Sequence, residues 1–163
     1  MIRGKVWKYG DDVNTDVIFP GRYTYQPMQP EEMAEHALED LDSTFASSVE
    51  TGDIIVAGRN FGCGSSREQA ATCLKAAGVA AVVAPSFSRL FFRNAINAGL
   101  PVIELADGTD TIDKDGTVEI DFEAGVLRHN DAEYQFPALP PEVLAILEDG
   151  GLIPHVKKVL GTA

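Results

Sequence analysis

The stretch that decides the fold is residues 60–68, which read Asn-Phe-Gly-Cys-Gly-Ser-Ser-Arg-Glu. It follows an apolar strand pattern at 54–57 and precedes a helical pattern at 70–77. The two glycines let the backbone approach a ligand closely, and the start of a helix attracts anions through its free N–H groups. The two serines and the arginine add hydroxyl and guanidinium groups at the same place. The stretch therefore predicts a site for a small carboxylate or phosphate rather than a plain connection.

On both sides of this turn, apolar runs alternate with helical patterns. We predict strands at 53–57, 79–84 and 100–105, with a helix in each interval. Strands separated by helices indicate parallel pairing with right-handed crossovers. Ligands of such sheets bind at the carboxyl ends of the strands, which is where residues 60–68 lie. The predicted fold is α/β, with a mostly parallel central sheet flanked by helices.

The remaining elements are predicted from weaker patterns. They are a strand at 5–8, a helix at 30–41 with apolar Ala34, Ala37, Leu38 and Leu41, a hairpin of 117–122 with 126–129, and helices at 142–148 and 152–160. Residues 20–30 contain three prolines and two tyrosines and have no regular period. A long loop inside a compact domain is often functional.

The composition of the chain argues against some classes of function. A length of 163 residues with 45% hydrophobic content predicts one domain over residues 1–163. The net charge of −12 argues against a broad nucleic-acid or anionic-membrane surface, which needs clustered Lys and Arg. Residues 1–9 have no continuous apolar run, so we expect no signal peptide, no membrane span and a cytoplasmic location.

Several other classes of site are disfavoured. The turn lacks the third glycine of a dinucleotide fingerprint and the lysine of a nucleotide-hydrolysing loop, and Ser65 has no evident histidine partner for a hydrolase triad. Cys63 and Cys73 are interpreted as reduced, buried small hydrophobes. Two cysteines cannot alone hold an iron–sulfur cluster or a structural zinc, so no metal is assigned to this chain.

Residues 60–70 closely resemble the signature of the swivel domain of the aconitase superfamily, in particular the separate small subunits of 3-isopropylmalate dehydratase. The likeness covers nearly the whole chain. Residues 4–10 look like the family's opening strand, 14–18 resemble its Asp-Thr-Asp segment with Asn in the first place, and 86–89 with 92–97 are similar to its second-helix signature. The resemblance implies a single swivelling β/β/α domain.

The resemblance also implies a hydro-lyase that moves a hydroxyl between adjacent carbons of a malate-type acid, as in leucine biosynthesis. In this family a [4Fe–4S] cluster on a large partner subunit binds the substrate as a Lewis acid. By position, Ser65 resembles the serine whose alkoxide removes a proton, and Ser66 and Arg67 resemble residues that grip substrate carboxylates. The physics of the turn suits these roles, because a serine hydroxyl ionises only beside positive charge and N–H donors.

Substrate choice is expected to lie in the loop at 20–30, with Arg22, Tyr23, Thr24 and Tyr25 as substrate-binding residues. Homoaconitase-like relatives carry an arginine two places after a tyrosine in this loop, where this chain has Tyr25. A neutral aromatic favours an apolar substituent such as isopropyl, because an unpaired carboxylate facing it would be costly. The loop also departs from the usual isopropylmalate sequence. A dehydratase of 2,3-dimethylmalate and a homoaconitase therefore stay open as alternatives.

Three further alternatives remain open on the residues alone. Ser65 could be the N-cap of the following helix and do nothing else. Arg89, Arg93 and Asn97 recur along one helix face, which is either a partner-facing strip or a solvated face. Finally, the chain is either the catalytic subunit of a split enzyme or a carboxylate-binding module without chemistry.

Overall fold

The computed structural model describes residues 1–65 and 67–161. Within these residues the strands form one seven-stranded sheet in the order β4-β3-β2-β1-β5-β6-β7. The strands are β1 Ile2–Lys8, β2 Ile54–Val56, β3 Ala81–Ala84, β4 Val102–Glu104, β5 Thr117–Asp121, β6 Val126–His129 and β7 Ala132–Gln135. The helices are α1 Thr15–Ile18, α2 Pro30–Ala34, α3 Phe45–Ser48, α4 Gln69–Ala76, α5 Arg89–Ala98, α6 Pro141–Glu148 and α7 Leu152–Val159.

The sheet has a parallel half and an antiparallel half that meet at β1. Strands β1 to β4 run parallel to one another, with Val6 opposite Ile54 and Ile54 opposite Ala81. On its other side β1 pairs with β5 in antiparallel register, and β6 and β7 continue that half as a meander. The predicted α/β fold with helices flanking a central sheet is confirmed, with four of the seven described strands mutually parallel.

The parallel strands are buried on both faces, which explains their continuous apolar sequence. On one face Trp7, Ile55 and Val82 pack in a core shared with α4 and α5. On the opposite face Val6, Ile54 and Val83 belong to a second core, which β5 and β6 complete. The helices therefore cover one side of the parallel half and antiparallel strands cover the other. None of the helices in the described ranges is long and apolar enough to cross a membrane.

Several elements differ from the sequence prediction, among them the short helices α1 and α3, which were not predicted. The helix predicted at 30–41 was wrong beyond Ala34, because turns follow and Leu38 adopts a left-handed conformation with φ +56°. The Leu38 N–H donates to the Ile18 carbonyl at 2.8 Å and its side chain is fully buried, so tertiary packing overrides the helical period. Strand β7 was not predicted, because it has only four residues and lies at the sheet edge, where three of its four side chains are exposed.

Candidate active site at the glycine-rich turn

The glycine-rich turn at 60–65 leaves the carboxyl end of β2 and is held on one side by the start of α5. The Phe61 N–H donates to the Ser86 carbonyl at 3.1 Å, and the Ser88 N–H donates to the Phe61 carbonyl at 3.0 Å. The Ser88 hydroxyl caps α5 by accepting from the Phe91 N–H at 3.1 Å, and it donates to the Gly62 carbonyl at 2.9 Å. One serine thus joins the helix cap to the turn.

Glycine is required at position 62 by both conformation and space. Gly62 has φ +79°, and a Cβ at this position would lie 2.2 Å from the Phe91 ring. Any side chain would therefore push the turn away from α5.

On its other side the turn is held by the segment that leads into α1. The Gly62 N–H donates to the Val13 carbonyl at 2.7 Å, and the Thr15 N–H donates to the Cys63 carbonyl at 2.8 Å. Gly64 has φ +100°, and a Cβ there would approach the Thr15 hydroxyl at 3.3 Å. The turn is therefore fixed between α1 and α5 by backbone hydrogen bonds.

Ser65 is exposed at the end of this turn. Its Oγ lies 3.2 Å from the Oγ1 of Thr15, a residue that is only 2% exposed. The N-cap residue of α4 is Glu68, and its side chain makes no capping bond. The alternative that Ser65 only caps this helix is therefore wrong, and its hydroxyl has a fixed hydroxyl neighbour instead.

The Arg67 guanidinium lies against α1 and is mostly buried, with 15% of its side chain exposed. Its Nη1 binds the carboxylate of Asp16 and donates to the Phe19 carbonyl at 3.3 Å. Asp16 itself is well exposed. Thr15 and Asp16 are consecutive, so the first turn of α1 contacts both Ser65 and Arg67. Ser66 lies outside the described residues.

The loop at 20–30 begins beside Arg67. A Cβ on Gly21 would lie 3.6 Å from Arg67 Nη1. Further along, the Thr24 carbonyl accepts from Gln69 Nε2 of α4 at 3.5 Å. The predicted specificity loop therefore lies beside Arg67 and the start of α4, although Thr24 and Gln69 are 45 residues apart in the sequence.

The side chains of this loop point to different surroundings. Arg22 binds Asp40 at 3.0 and 3.2 Å and Glu39 at 3.3 Å, and the hydrogen bonds to Asp40 raise the pKa of its guanidinium. The Tyr23 ring stacks on His36 with centroids 4.1 Å apart. Tyr25 is 97% exposed. Arg22 thus makes its ion pairs with residues 39 and 40, Tyr23 packs between His36 and Phe19, and the Tyr25 ring is open to a ligand or a partner.

Comparison with known proteins shows to which family the chain belongs. Residues 12–108 match the family described as the aconitase C-terminal domain, a range that includes the turn, α1 and the start of α5. The chain belongs to the aconitase C-terminal domain family. It is 52% identical over 160 residues to the 3-isopropylmalate dehydratase small subunit 1 of Thermotoga maritima, covering 97% of this chain and 96% of that one.

Two other proteins are also similar to this chain along nearly their whole length. The methanogen homoaconitase small subunit of Methanothermobacter thermautotrophicus is 51% identical over 164 residues, covering 99% and 94% of the two chains. The crystal structure of 3-isopropylmalate dehydratase from Methanocaldococcus jannaschii superposes with a TM-score of 0.91 at 42% identity, covering 98% and 95%. The predicted resemblance to small subunits of this kind is confirmed.

The cysteines of this family member are not activated. Cys73 is fully buried in α4, where burial raises the pKa of its thiol. Burial and then the charge of Asp12 raise the pKa of Cys63, which is half-buried rather than buried as predicted. Among residues 1–65 and 67–161 no group of three or more His, Cys, Asp or Glu could hold a metal ion. The side chains within these two ranges therefore offer no ligand set for an iron–sulfur cluster.

Thr15 is the site residue to which sequence reasoning gave no role. The signal was present, because Thr15 is the middle residue of the Asn-Thr-Asp segment that carried the family resemblance. Asn14 caps α1 by accepting from the Val17 N–H at 3.0 Å, which fixes the turn that presents Thr15 and Asp16. Only the fold shows that these residues face Ser65 and Arg67.

Proposed function

We propose that the chain is the small subunit of a [4Fe–4S]-dependent hydro-lyase that interconverts 3-isopropylmalate and 2-isopropylmalate in leucine biosynthesis and is active only with a large subunit. The observation that carries the proposal is the exposed Ser65 hydroxyl, which is hydrogen-bonded to Thr15 on a rigid turn beside Arg67. The dehydratase relatives, similar over almost the whole chain, support the class of reaction.

In this proposal Ser65 is the base that removes a proton from the carbon next to a substrate carboxylate. An alkoxide at Ser65 gains stability if the Thr15 hydroxyl donates to it, a role that the 3.2 Å separation allows. Thr15 is buried, so the dipole of its hydroxyl group is not screened by solvent. The turn and α1 hold the two hydroxyls in place before substrate arrives, so little reorganisation is needed during the reaction.

Arg67 is proposed to bind a substrate carboxylate through its planar guanidinium. In the structure Nη1 of Arg67 donates to the carboxylate of Asp16, which is exposed. A substrate carboxylate would share the guanidinium with Asp16 or replace it. Asp16 thus acts as a temporary partner that keeps Arg67 oriented while the site is empty of substrate.

The iron–sulfur cluster is proposed to belong to the large subunit. When bound there, such a cluster supplies a Lewis acid for the hydroxyl that leaves and returns. In this proposal Ser65 is the base and Arg67 binds a substrate carboxylate, so the active site is divided between the two subunits. The partner and a small dicarboxylic or tricarboxylic acid are the proposed binding partners, with no role for nucleic acid or membrane.

The proposed substrate preference rests on the loop at 20–30. Tyr25 offers an exposed neutral ring and no guanidinium for a distal carboxylate. A second candidate is homoaconitase, because the Methanothermobacter relative with that name is almost as similar as the dehydratase relative. 2,3-Dimethylmalate, whose substituent is also apolar, is a third candidate. The binding module without chemistry remains the alternative of a different class.

Reconstitution tests these candidates together. The chain is mixed anaerobically with the large subunit from the same organism, and alkene absorbance is followed with isopropylmalate, 2,3-dimethylmalate and homocitrate. We expect turnover only with both subunits, and the highest kcat/KM with isopropylmalate. A preference for another acid would select the corresponding alternative. Binding of citrate-like acids by the chain alone, with no turnover in the mixture, would identify a binding module.

A further inference from the structure

The arginines of this acidic chain fall into two groups. Four of the seven form ion pairs, namely Arg3, Arg22, Arg67 and Arg128. In the described part of the chain Arg59, Arg89 and Arg93 form none, although acidic residues exceed basic ones by twelve. Arg89 and Arg93 both lie on α5 and line the same groove. Two unpaired guanidinium groups together on so acidic a chain indicate a place for external carboxylates.

The groove lies between α5, the edge strand β4 and residues 137–140, and its volume is about 570 Å³. Its apolar floor includes Phe92, Ile96 and Val102, while Arg89 and Arg93 stand on the α5 side. Glu104 is the only acidic residue among the described lining residues. The lining therefore carries net positive charge above an apolar floor.

Strand β4 gives the groove a backbone edge. It pairs with β3 on one side and is the last strand of the parallel half. All three residues of β4 line the groove. A sheet edge with open N–H and C=O groups is a template for an added extended segment, whose side chains then fill neighbouring pockets.

The groove is also next to the candidate active site. Phe87 lines the groove and packs against Phe61 of the glycine-rich turn, with ring centroids 5.9 Å apart. Ser88 follows Phe87 and bonds to the Gly62 carbonyl. A polypeptide seated in the groove would therefore lie against the same wall that supports Ser65.

We propose that this groove is the docking site for an extended acidic segment of the large subunit. An apolar side chain of the segment enters between Phe92 and Leu139, and its carboxylates pair with Arg89 and Arg93. The inference rests on the proposed function, because it takes the large subunit as the partner. It also assigns the helix-face strip of Arg89 and Arg93 to partner contact rather than to solvation.

Charge reversal provides the first test. The double variant Arg89→Glu with Arg93→Glu is compared with the matched double variant Arg3→Glu with Arg128→Glu, which makes the same change in charge on the antiparallel half. The dissociation constant for the purified large subunit is measured by calorimetry at low and high salt, after thermal melts establish that both variants are folded. We expect the groove variant to bind about tenfold or more weakly with a smaller salt dependence, and the control to bind like wild type.

Crosslinking provides the second test, which keeps Arg89 and Arg93 and so does not rely on charge-reversed variants that fold. A photoreactive benzoylphenylalanine is placed at Leu139 and, as control, at Asn130 in the antiparallel half. We expect position 139 to crosslink to an acidic segment of the large subunit and position 130 to give none. Crosslinks from position 139 to a second copy of this chain, or to a segment without carboxylates, would overturn the proposal.

The outcomes separate the two proposals. If the wild-type mixture turns over substrate but the groove and control variants bind equally well, the docking site is wrong and the proposed function stands. If the wild-type chain neither binds nor activates the large subunit, the proposed function fails and the docking site fails with it.

Discussion

At the scale of single residues, the contact that matters most is the one between Thr15 and Ser65. A buried hydroxyl that bonds to an exposed one is placed to stabilise negative charge on its neighbour. Thr15 is then a positioning residue, since its proposed action on the substrate passes through Ser65. This role separates it from Arg67, which is proposed to touch the substrate.

Thr15→Val removes the hydroxyl and keeps the shape of the side chain. We predict that kcat of the reconstituted enzyme falls by about 10-fold to 100-fold, because one donor to the alkoxide is lost. KM should change little, since Thr15 does not bind the substrate. Steady-state kinetics on the assembled enzyme measure both values.

The control for this prediction is Thr15→Ser, which keeps the hydroxyl and should restore most of kcat. An equal loss in both variants would mean that the methyl group and packing matter, and not the hydrogen bond.

Gly62→Ala tests how tightly the turn is built. The new Cβ would meet the Phe91 ring at 2.2 Å, and alanine disfavours the positive φ. We predict a loss of about 2–5 kcal/mol in the free energy of unfolding, measured by urea denaturation.

Gly10→Ala is the matched control, because a Cβ there meets nothing within 4 Å. It should change the free energy of unfolding by less than about 1 kcal/mol. Similar effects of the two substitutions would contradict the close packing of the turn against α5.

At the scale of elements, the loop at 20–30 is the part that we expect to choose the substrate. Its start is fixed beside Arg67 and its middle is tied to α4, while Tyr25 is exposed. A loop that is fixed at its start can change at its tip without disturbing Ser65, the proposed catalytic base. Substrate choice should therefore be transferable by a single substitution at position 25.

Tyr25→Arg adds a guanidinium at the position where the proposed function expects a distal carboxylate to lie. We predict that the ratio of kcat/KM for homocitrate to that for isopropylmalate rises by about tenfold or more, because the added charge pairs the extra carboxylate. Competition assays with the reconstituted enzyme give this ratio. Tyr25→Phe should leave it unchanged, and an unchanged ratio in Tyr25→Arg would remove position 25 from substrate selection.

Sequence predicted the elements around the site better than the contacts within it. The strand before the turn and the helix after it follow from local apolar periods and glycines, so their positions could be predicted. The contact of Thr15 with Ser65 joins positions 50 residues apart, and no local pattern reports it. At Leu38 the local pattern itself misleads. The apolar period there predicts a helix, but Leu38 has a left-handed backbone and bonds to the Ile18 carbonyl instead.

At the scale of the whole molecule, the sheet divides structural and functional roles. Its parallel half carries the turn at the carboxyl end of β2, as ligand sites in such sheets usually do. Its antiparallel half covers the opposite core and contributes no residue to the candidate site. The described residues include the proposed base Ser65 and the proposed carboxylate ligand Arg67, and they include no group of side chains that could hold a cluster. The proposed function assigns the cluster to a second polypeptide.

The most direct test of this account is Ser65→Ala in the assembled enzyme, with Ser48→Ala on α3 as control. We predict that Ser65→Ala binds the large subunit as tightly as wild type while turnover falls by about 100-fold to 10,000-fold, because the base is gone. Ser48→Ala should keep both properties. Turnover by Ser65→Ala at the wild-type rate, in a complex of normal affinity, would contradict the central claim that this hydroxyl removes the proton.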